Sequence, residues 1–194
     1  MRRVVPFLTL MLLLLVYGCS GNSPAPVAEK AVNALLDGDM ESYYELLTQA
    51  DQAAMTKTNF VRTYHLPDDI RQILEILPEA KDVFKASKFK ETVTGDNAVV
   101  TYVVNIPDAD KIGSEVLSLT DLMSIADGGK VTRLVDLPED VKQKIVDYVH
   151  KNGVPTKEVT GSMDLLQEEG EWRVNLNLVK NYPNGIVPKA LILE

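Results

Sequence analysis

The sequence has few of the residues on which metal sites and many enzymes depend. Among its 194 residues are one cysteine, Cys19, and two histidines, His65 and His150. It contains no HExxH pair, no calcium-binding acidic loop, no G-x-S-x-G motif and no phosphate-binding glycine loop. Each histidine lies near a predicted helix end, where a polar side chain is ordinary. The sequence therefore predicts no metal, no cofactor and no catalytic residue.

Positive charge is also scarce. The chain has 20 basic and 28 acidic residues, and loss of Arg2 and Arg3 with a cleaved leader leaves 18 against 28, a net charge of −10. An acidic surface repels nucleic acid and anionic lipid headgroups. We therefore expect no nucleic-acid partner, and we expect any membrane attachment to come from a covalent lipid.

The first eighteen residues have the pattern of a signal peptide. Two arginines precede an apolar run from Val4 to Val16. Thirteen helical residues rise about 20 Å, which is too short for a bilayer core of about 30 Å. A positive start and a short apolar stretch are typical of secretory signals, although the usual A-x-A-like cleavage site is missing. The run ends instead at Val16-Tyr17-Gly18-Cys19.

That tetrapeptide resembles the lipobox of bacterial lipoproteins. The resemblance implies that residues 1–18 are cleaved and that Cys19 is lipidated and acylated, which leaves the mature chain without a thiol. More than one acyl chain anchors a protein stably. Ser20 resembles the signal for the outer membrane, so the expected location is the cell envelope, facing the periplasm in a diderm host. The alternative is an incidental thiol in a plain signal or an uncleaved anchor.

Residues 19–26 are predicted to form the lipid attachment site and a short tether, followed by one domain over residues 27–182 and a tail over 183–194. The domain begins with helices, because apolar residues recur at i, i+3, i+4 and i+7 from Ala28. Gly38 is expected to end the first helix and Asp39 to cap the second. A third helix is predicted from Asp51 to Tyr64. Leu-Pro-acid-acid sequences at residues 66–69 and 137–140 predict two further helix starts.

Two β-hairpins are predicted in the second half of the domain. The first joins residues 89–93 to 98–106 through Gly95-Asp96-Asn97, and the second joins 159–165 to 172–178 through a Glu168–Glu171 turn. A helical insertion over 107–155 separates them. The strand at 98–106 is apolar on both faces, so we expect cover on both, with the insertion supplying part of the second. Trp172 begins an alternating apolar face and is expected in the core. The tail is expected to dock as an edge strand.

Three segments resemble nuclear transport factor 2-like domains, in particular those on bacterial lipoproteins: residues 28–47 (AEKAVNALLDGDMESYYELL), residues 94–100 (TGDNAVV) and residues 169–174 (EGEWRV). The resemblance implies an α+β fold in which N-terminal helices pack on a curved antiparallel sheet to form a cone, here with a helical insertion between two hairpins. The family includes ketosteroid isomerase-like enzymes that use a pocket carboxylate and a tyrosine. By that resemblance, a pocket could be lined by Tyr43, Tyr44, Tyr64 and Tyr102.

Aromatic residues at helical or strand spacing are more often core than pocket lining. Helix-end placement accounts for Asp68-Asp69 and Glu139-Asp140 without chemistry. The favoured function is therefore a lipid-anchored binding or assembly module of the cell envelope, with a protein partner or self-association and no catalytic activity. A carrier of a small apolar ligand in the cone is the first alternative, and an isomerase- or dehydratase-type enzyme is the second. The sequence does not identify a ligand-binding residue.

Overall fold

The structure is a computed structural model that describes residues 23–66, 68–116 and 137–191. Its helices are α1 (Ala25–Asp37), α2 (Met40–Glu45), α3 (Gln49–Ala54), α4 (Lys57–Thr63), α5 (Asp68–Ile76), α6 (Ala109–Val116), α7 (Glu139–Asn152) and α8 (Leu178–Asn181). Its strands are β1 (Lys85–Thr94), β2 (Asn97–Pro107), β3 (Thr156–Glu168) and β4 (Glu171–Val174). Three 3₁₀ turns lie at Pro78–Val83, Tyr182–Asn184 and Lys189–Leu191. The predicted α+β class is confirmed.

The first two helices have the predicted boundary residues. Gly38 ends α1 in the left-handed conformation (φ +73°), which glycine adopts at little cost. Asp39 caps α2, and its Oδ1 accepts a hydrogen bond of 3.0 Å from the amide of Ser42. Helix α1 begins at Ala25, so the fold starts two residues before the predicted domain boundary.

The predicted third helix is two helices. Met55 is extended between α3 and α4, and Thr56 caps α4 by accepting a hydrogen bond of 3.4 Å from the amide of Asn59. A threonine that satisfies the first free amides of a helix starts a new helix and does not continue the previous one. The single helix predicted over residues 51–64 was therefore wrong at Met55 and Thr56.

The four strands form one antiparallel sheet in the order β1-β2-β3-β4. Strand β2 is central and pairs with β3 along its whole length. In β1, a bulge places Lys88 (φ +56°) and Phe89 opposite the single residue Tyr102. The extra residue keeps Phe89 on the inner face of the sheet, where its ring centroid lies 5.8 Å from that of Tyr102.

The last strand is shorter than predicted. Strand β4 ends at Val174, and the chain then turns through Asn177 in the left-handed conformation (φ +53°) into α8. The amides of Leu176 and Leu178 donate to the carboxylate of Asp51 and not to a neighbouring strand. The strand predicted to continue to Leu178 was therefore wrong beyond Val174, because a helix carboxylate takes the hydrogen bonds that a ladder would need.

The main core lies between the inner face of the sheet and helices α1 to α4. Inner-face side chains of β2, β3 and β4 are buried there, including Trp172, which is 6% exposed as predicted. The C-terminal segment adds Ala190 and Leu191 to this core through a 3₁₀ turn beside β3. The tail was predicted to form an edge strand, and the part that is described, up to Leu191, does not.

A second, smaller core lies at one end of the molecule. It joins α5, the turn at Pro78–Val83, α6 and α7, and it buries Ile73, Leu77, Ala80, Ile112, Leu137, Val141, Ile145 and Val149. A backbone hydrogen bond of 2.8 Å from Asp108 to Pro155 closes the base of the insertion. The described helices of the insertion therefore bury their apolar stripes against α5. They leave Val99 on the outer face of β2 42% exposed, so the cover expected from the insertion does not reach this residue in the described part of the chain.

Candidate functional site

Several residues named in the sequence analysis lie outside the described residues. They are Cys19, the leader over residues 1–18, residues 117–136 of the helical insertion and residues 192–194 of the tail. Lipidation of Cys19 therefore stays a prediction. Of the helices that are described, none is long and apolar enough to cross a membrane.

The two histidines lie at helix ends, and each has a structural neighbour. His65 follows α4, with its Nδ1 2.8 Å from the carbonyl oxygen of Leu66. His150 is in the last turn of α7, with its Nε2 3.2 Å from Oε1 of Glu79, so it links the insertion to the Pro78–Val83 turn. Within residues 23–66, 68–116 and 137–191, no three histidine, cysteine or acidic side chains are grouped as metal ligands would be.

The four tyrosines proposed as pocket lining are all buried in the main core. Three of them, Tyr43, Tyr44 and Tyr64, surround Phe60, with ring centroids 4.9–6.0 Å from that of Phe60. The hydroxyl of Tyr44 donates to the carbonyl oxygens of Gln52 and Met55, which ties α2 to the break between α3 and α4. Aromatic rings at these separations stabilise a core by direct contact. These tyrosines therefore fill the space that a ligand would occupy in a hollow cone.

Tyr43 and Tyr102 differ from the other tyrosines because their buried hydroxyls have no hydrogen-bond partner among the described residues. Burial raises the pKa of Tyr102 to about 12 and raises the pKa of Tyr43 well above its ordinary value. The ring of Tyr102 lies against Gly161 on the paired strand. A Cβ at Gly161 would lie 2.5 Å from the ring Cζ, so glycine is required there for this tyrosine to fit.

An isomerase-type site would need a buried carboxylate. Among the described residues, Asp51 has a buried carboxylate, and its exposed fraction is 1%. Its Oδ2 accepts 2.7 Å from the amide of Leu176, and its Oδ1 accepts 2.6 Å from the amide of Leu178. Thr48 caps the same helix, accepting 3.2 Å from the amide of Asp51. Both carboxylate oxygens thus accept hydrogen bonds from backbone amides. Asp51 holds the C-terminal segment on α3 and is not placed as a base.

From the sequence, Asp51 is predicted only as the start of a helix. The Thr48-x-x-Asp51 spacing resembles a capping pattern and could have indicated the α3 boundary. Nothing local to that pattern shows that the carboxylate reaches Leu176, 125 residues later.

A groove of about 490 Å³ lies between the outer face of the sheet and the C-terminal segment. We call it the outer groove; it is lined by Val99, Ser162, Asp164, Asn175, Leu176, Asn177, Asn181, Ile186, Val187, Pro188, Lys189 and Ala190. Apart from Val99, the side chains on the sheet side and on α8 are polar, whereas most of those on the C-terminal rim are apolar. One acid and one lysine leave the lining with no strong charge of either sign.

Exposed apolar side chains occur in this groove. Of the seven large hydrophobic residues that are exposed among those described, three line it: Val99, Ile186 and Val187. Val179 and Tyr182, which are also exposed, precede the rim in the sequence but do not line the groove. Apolar residues gathered around a groove and surrounded by polar ones are typical of an interaction surface, whereas single exposed apolar residues are ordinary.

No protein-family model matches the chain, and comparison with curated proteins finds no match. The resemblance to nuclear transport factor 2-like domains therefore stays an expectation.

Proposed function

We propose that this protein is a lipid-anchored binding or assembly module of the bacterial cell envelope. It is attached through Cys19, carries a nuclear transport factor 2-like domain, and works by binding a protein at the outer groove and not by catalysis. The observation that carries this proposal is the clustering of exposed apolar residues at the groove, with Val99 on the sheet side and Ile186 and Val187 on the rim.

The main core supports binding over the two alternatives. A carrier needs an apolar cavity inside the cone, but Tyr43, Phe60 and Tyr102 are packed there at 0–1% exposure. An isomerase needs a carboxylate free to take a proton, but both oxygens of Asp51 accept backbone hydrogen bonds. The outer groove, in contrast, exposes apolar surface that residues 23–66, 68–116 and 137–191 leave uncovered.

Site-specific photo-crosslinking in cells tests the groove. A photoreactive residue at Val187, which is 50% exposed, should give a discrete protein adduct, because partner contact excludes water there. The same residue at Val93, which is 49% exposed on β1 and away from the groove, is the matched control. Ile186→Asp should abolish the Val187 adduct and leave the fold intact. Equal adducts from both positions, or an adduct that survives Ile186→Asp, would contradict binding at the groove.

Metabolic labelling with a fatty-acid analogue tests the anchor. The wild-type chain should be labelled, whereas Cys19→Ser should be unlabelled and either retained as precursor or released in soluble form. Label that persists on the Cys19→Ser variant would rule out this residue as the lipidation site.

A further inference from the structure

The amino-terminal end of the described chain is fixed to β1. Oγ of Ser23 donates to Oε2 of Glu91 at 2.5 Å, and the amide of Ala25 donates to the same oxygen at 3.1 Å. Pro24, between them, is buried. A carboxylate at the start of α1 also has a favourable interaction with the helix dipole. Ser23 therefore belongs to the folded domain and is not a free part of the tether.

The connection from the anchor to this point is short. Four Cα–Cα steps separate Cys19 from Ser23, and at 3.8 Å per step they span at most about 15 Å. By comparison, the 11 residues of β2 extend about 36 Å at roughly 3.3 Å each. If Cys19 carries the lipid, as the proposed function requires, β1 cannot move farther than the tether allows from the lipid headgroups. The domain is then held by one edge and does not tumble freely.

That edge has a local excess of positive charge, although the chain as a whole has a net negative charge. Strand β1 contains three lysines and one acid, Glu91. Lys85, Lys88 and Lys90 all lie on the outer face of β1 and are exposed. Lys88 forms an ion pair with Glu158 at 2.8 Å, which leaves Lys85 and Lys90 as the main positive charges. Lysines on an edge strand also discourage unwanted strand pairing, and that role is compatible with a second one.

From these two observations we infer that β1 is the membrane-facing edge of the domain, and that Lys85 and Lys90 contact anionic lipid headgroups around the anchor. Basic side chains near a membrane surface are attracted by anionic lipids over about one Debye length. The outer groove lies on β2, β3 and the C-terminal segment, one to two strand spacings of about 4.8 Å farther from the membrane. The groove is thereby held close to the bilayer but open to a partner. The net charge of the whole chain had concealed this local basic edge.

Fluorescence quenching on vesicles tests the orientation, using the full-length lipidated protein. Because Cys19 is the single cysteine and its thiol is blocked by lipid, an introduced cysteine is a unique labelling site. Thr92→Cys on β1 and Thr160→Cys on β3 are matched positions, both exposed threonines on the outer face. Vesicles contain either phosphatidylcholine alone or phosphatidylcholine with about one-third phosphatidylglycerol, together with a headgroup-linked quencher.

With anionic vesicles, we expect at least twofold stronger quenching at residue 92 than at residue 160. The difference should shrink in phosphatidylcholine alone and in 0.5 M salt, because salt screens exposed charges. The double variant Lys85→Glu/Lys90→Glu should remove the preference for anionic lipid and leave the Lys88–Glu158 ion pair intact. The double variant Lys142→Glu/Lys151→Glu on α7 changes net charge equally and should have no effect.

Equal quenching at residues 92 and 160, or a preference that survives Lys85→Glu/Lys90→Glu, would overturn the inference. Loss of the Val187 adduct in that variant with quenching unchanged would also overturn it, because the lysines would then belong to the protein interface. Fatty-acid labelling and vesicle flotation are measured on the same samples. If label and flotation persist, the anchor stands although the orientation fails; if both are lost, the anchor itself fails.

Discussion

The two faces of β2 have similar apolar residues and opposite environments. On the inner face, Val100 and Tyr102 are buried under the helices of the main core. On the outer face, Val99 is 42% exposed, and Thr101 beside it is exposed as well. The residues are neighbours in the sequence and share one strand. What separates them is that the described chain covers one face of this strand and leaves part of the other open.

Under the proposed function, stability and binding are divided over the two faces of the sheet. The inner face carries the hydrophobic stabilisation of the fold, since burial of apolar area is its main driving force. The outer face, as far as it is described, should contribute less to folding, and the proposed function assigns it to binding. Substitutions on the inner face should therefore reduce the free energy of unfolding, whereas substitutions on the outer face should change partner binding and leave stability nearly unchanged.

Trp172→Ala should have the largest effect on stability. The indole is buried at the inner face of β4, and truncating a buried aromatic side chain typically costs about 3–5 kcal/mol. Chemical denaturation monitored by circular dichroism measures the free energy of unfolding. A loss below about 1 kcal/mol would mean that the ring contributes little to the core and that the division between the two faces is wrong.

Asp51→Asn should follow, with a loss of about 2–3 kcal/mol. An asparagine side chain keeps one acceptor oxygen but turns an NH₂ group toward the second amide, so one of the donors Leu176 and Leu178 becomes unsatisfied. Asp164→Asn, on the exposed outer face, is the matched control and should change stability by less than about 0.5 kcal/mol. Similar losses for the two variants would contradict the role of Asp51 in holding the C-terminal segment.

Val100→Ala and Val99→Ala compare the faces directly with one type of substitution. At Val100, removal of two buried methyl groups should cost about 2 kcal/mol from lost burial and the cavity left behind. At Val99 the same change should cost less than about 0.5 kcal/mol, while it weakens photo-crosslinking from the outer groove. Equal destabilisation at the two positions would show that the outer face is covered in solution.

Much of the fold could be predicted because its determinants are local. The positions of Gly38 and Asp39 follow from preferences of single residues at helix ends, and both residues are where the sequence indicated. The hairpin turns and the burial of Trp172 follow from period-two alternation.

The features that sequence reasoning missed depend on contacts between distant segments. The end of β4 is set by Asp51, which binds the amide of Leu176. The insertion packs against α5, and no sequence pattern within residues 107–155 indicates that contact. The same holds for the candidate site. Exposed valines at residues 99 and 187 are ordinary in the sequence, and only the fold brings them to one groove.

Tyr102→Phe is the smallest expected change at neutral pH and tests the inner face in a different way. Its hydroxyl is buried without a described partner, so removing it should leave the free energy of unfolding unchanged or raise it by up to about 1 kcal/mol.

The larger effect of Tyr102→Phe should appear at high pH, because the pKa of Tyr102 is raised to about 12 in the folded protein, above the ordinary value of 10.0. Between these values the native tyrosine keeps its proton and the unfolded one has lost it. Stability therefore falls as pH rises through that window, whereas below it both forms are protonated and no dependence arises. Tyr102→Phe should lessen the fall, measured as the difference in unfolding free energy between pH 9 and 11.5. An unchanged fall in Tyr102→Phe would mean that this hydroxyl reaches water or a partner, and that the inner face is less completely filled than the packing indicates.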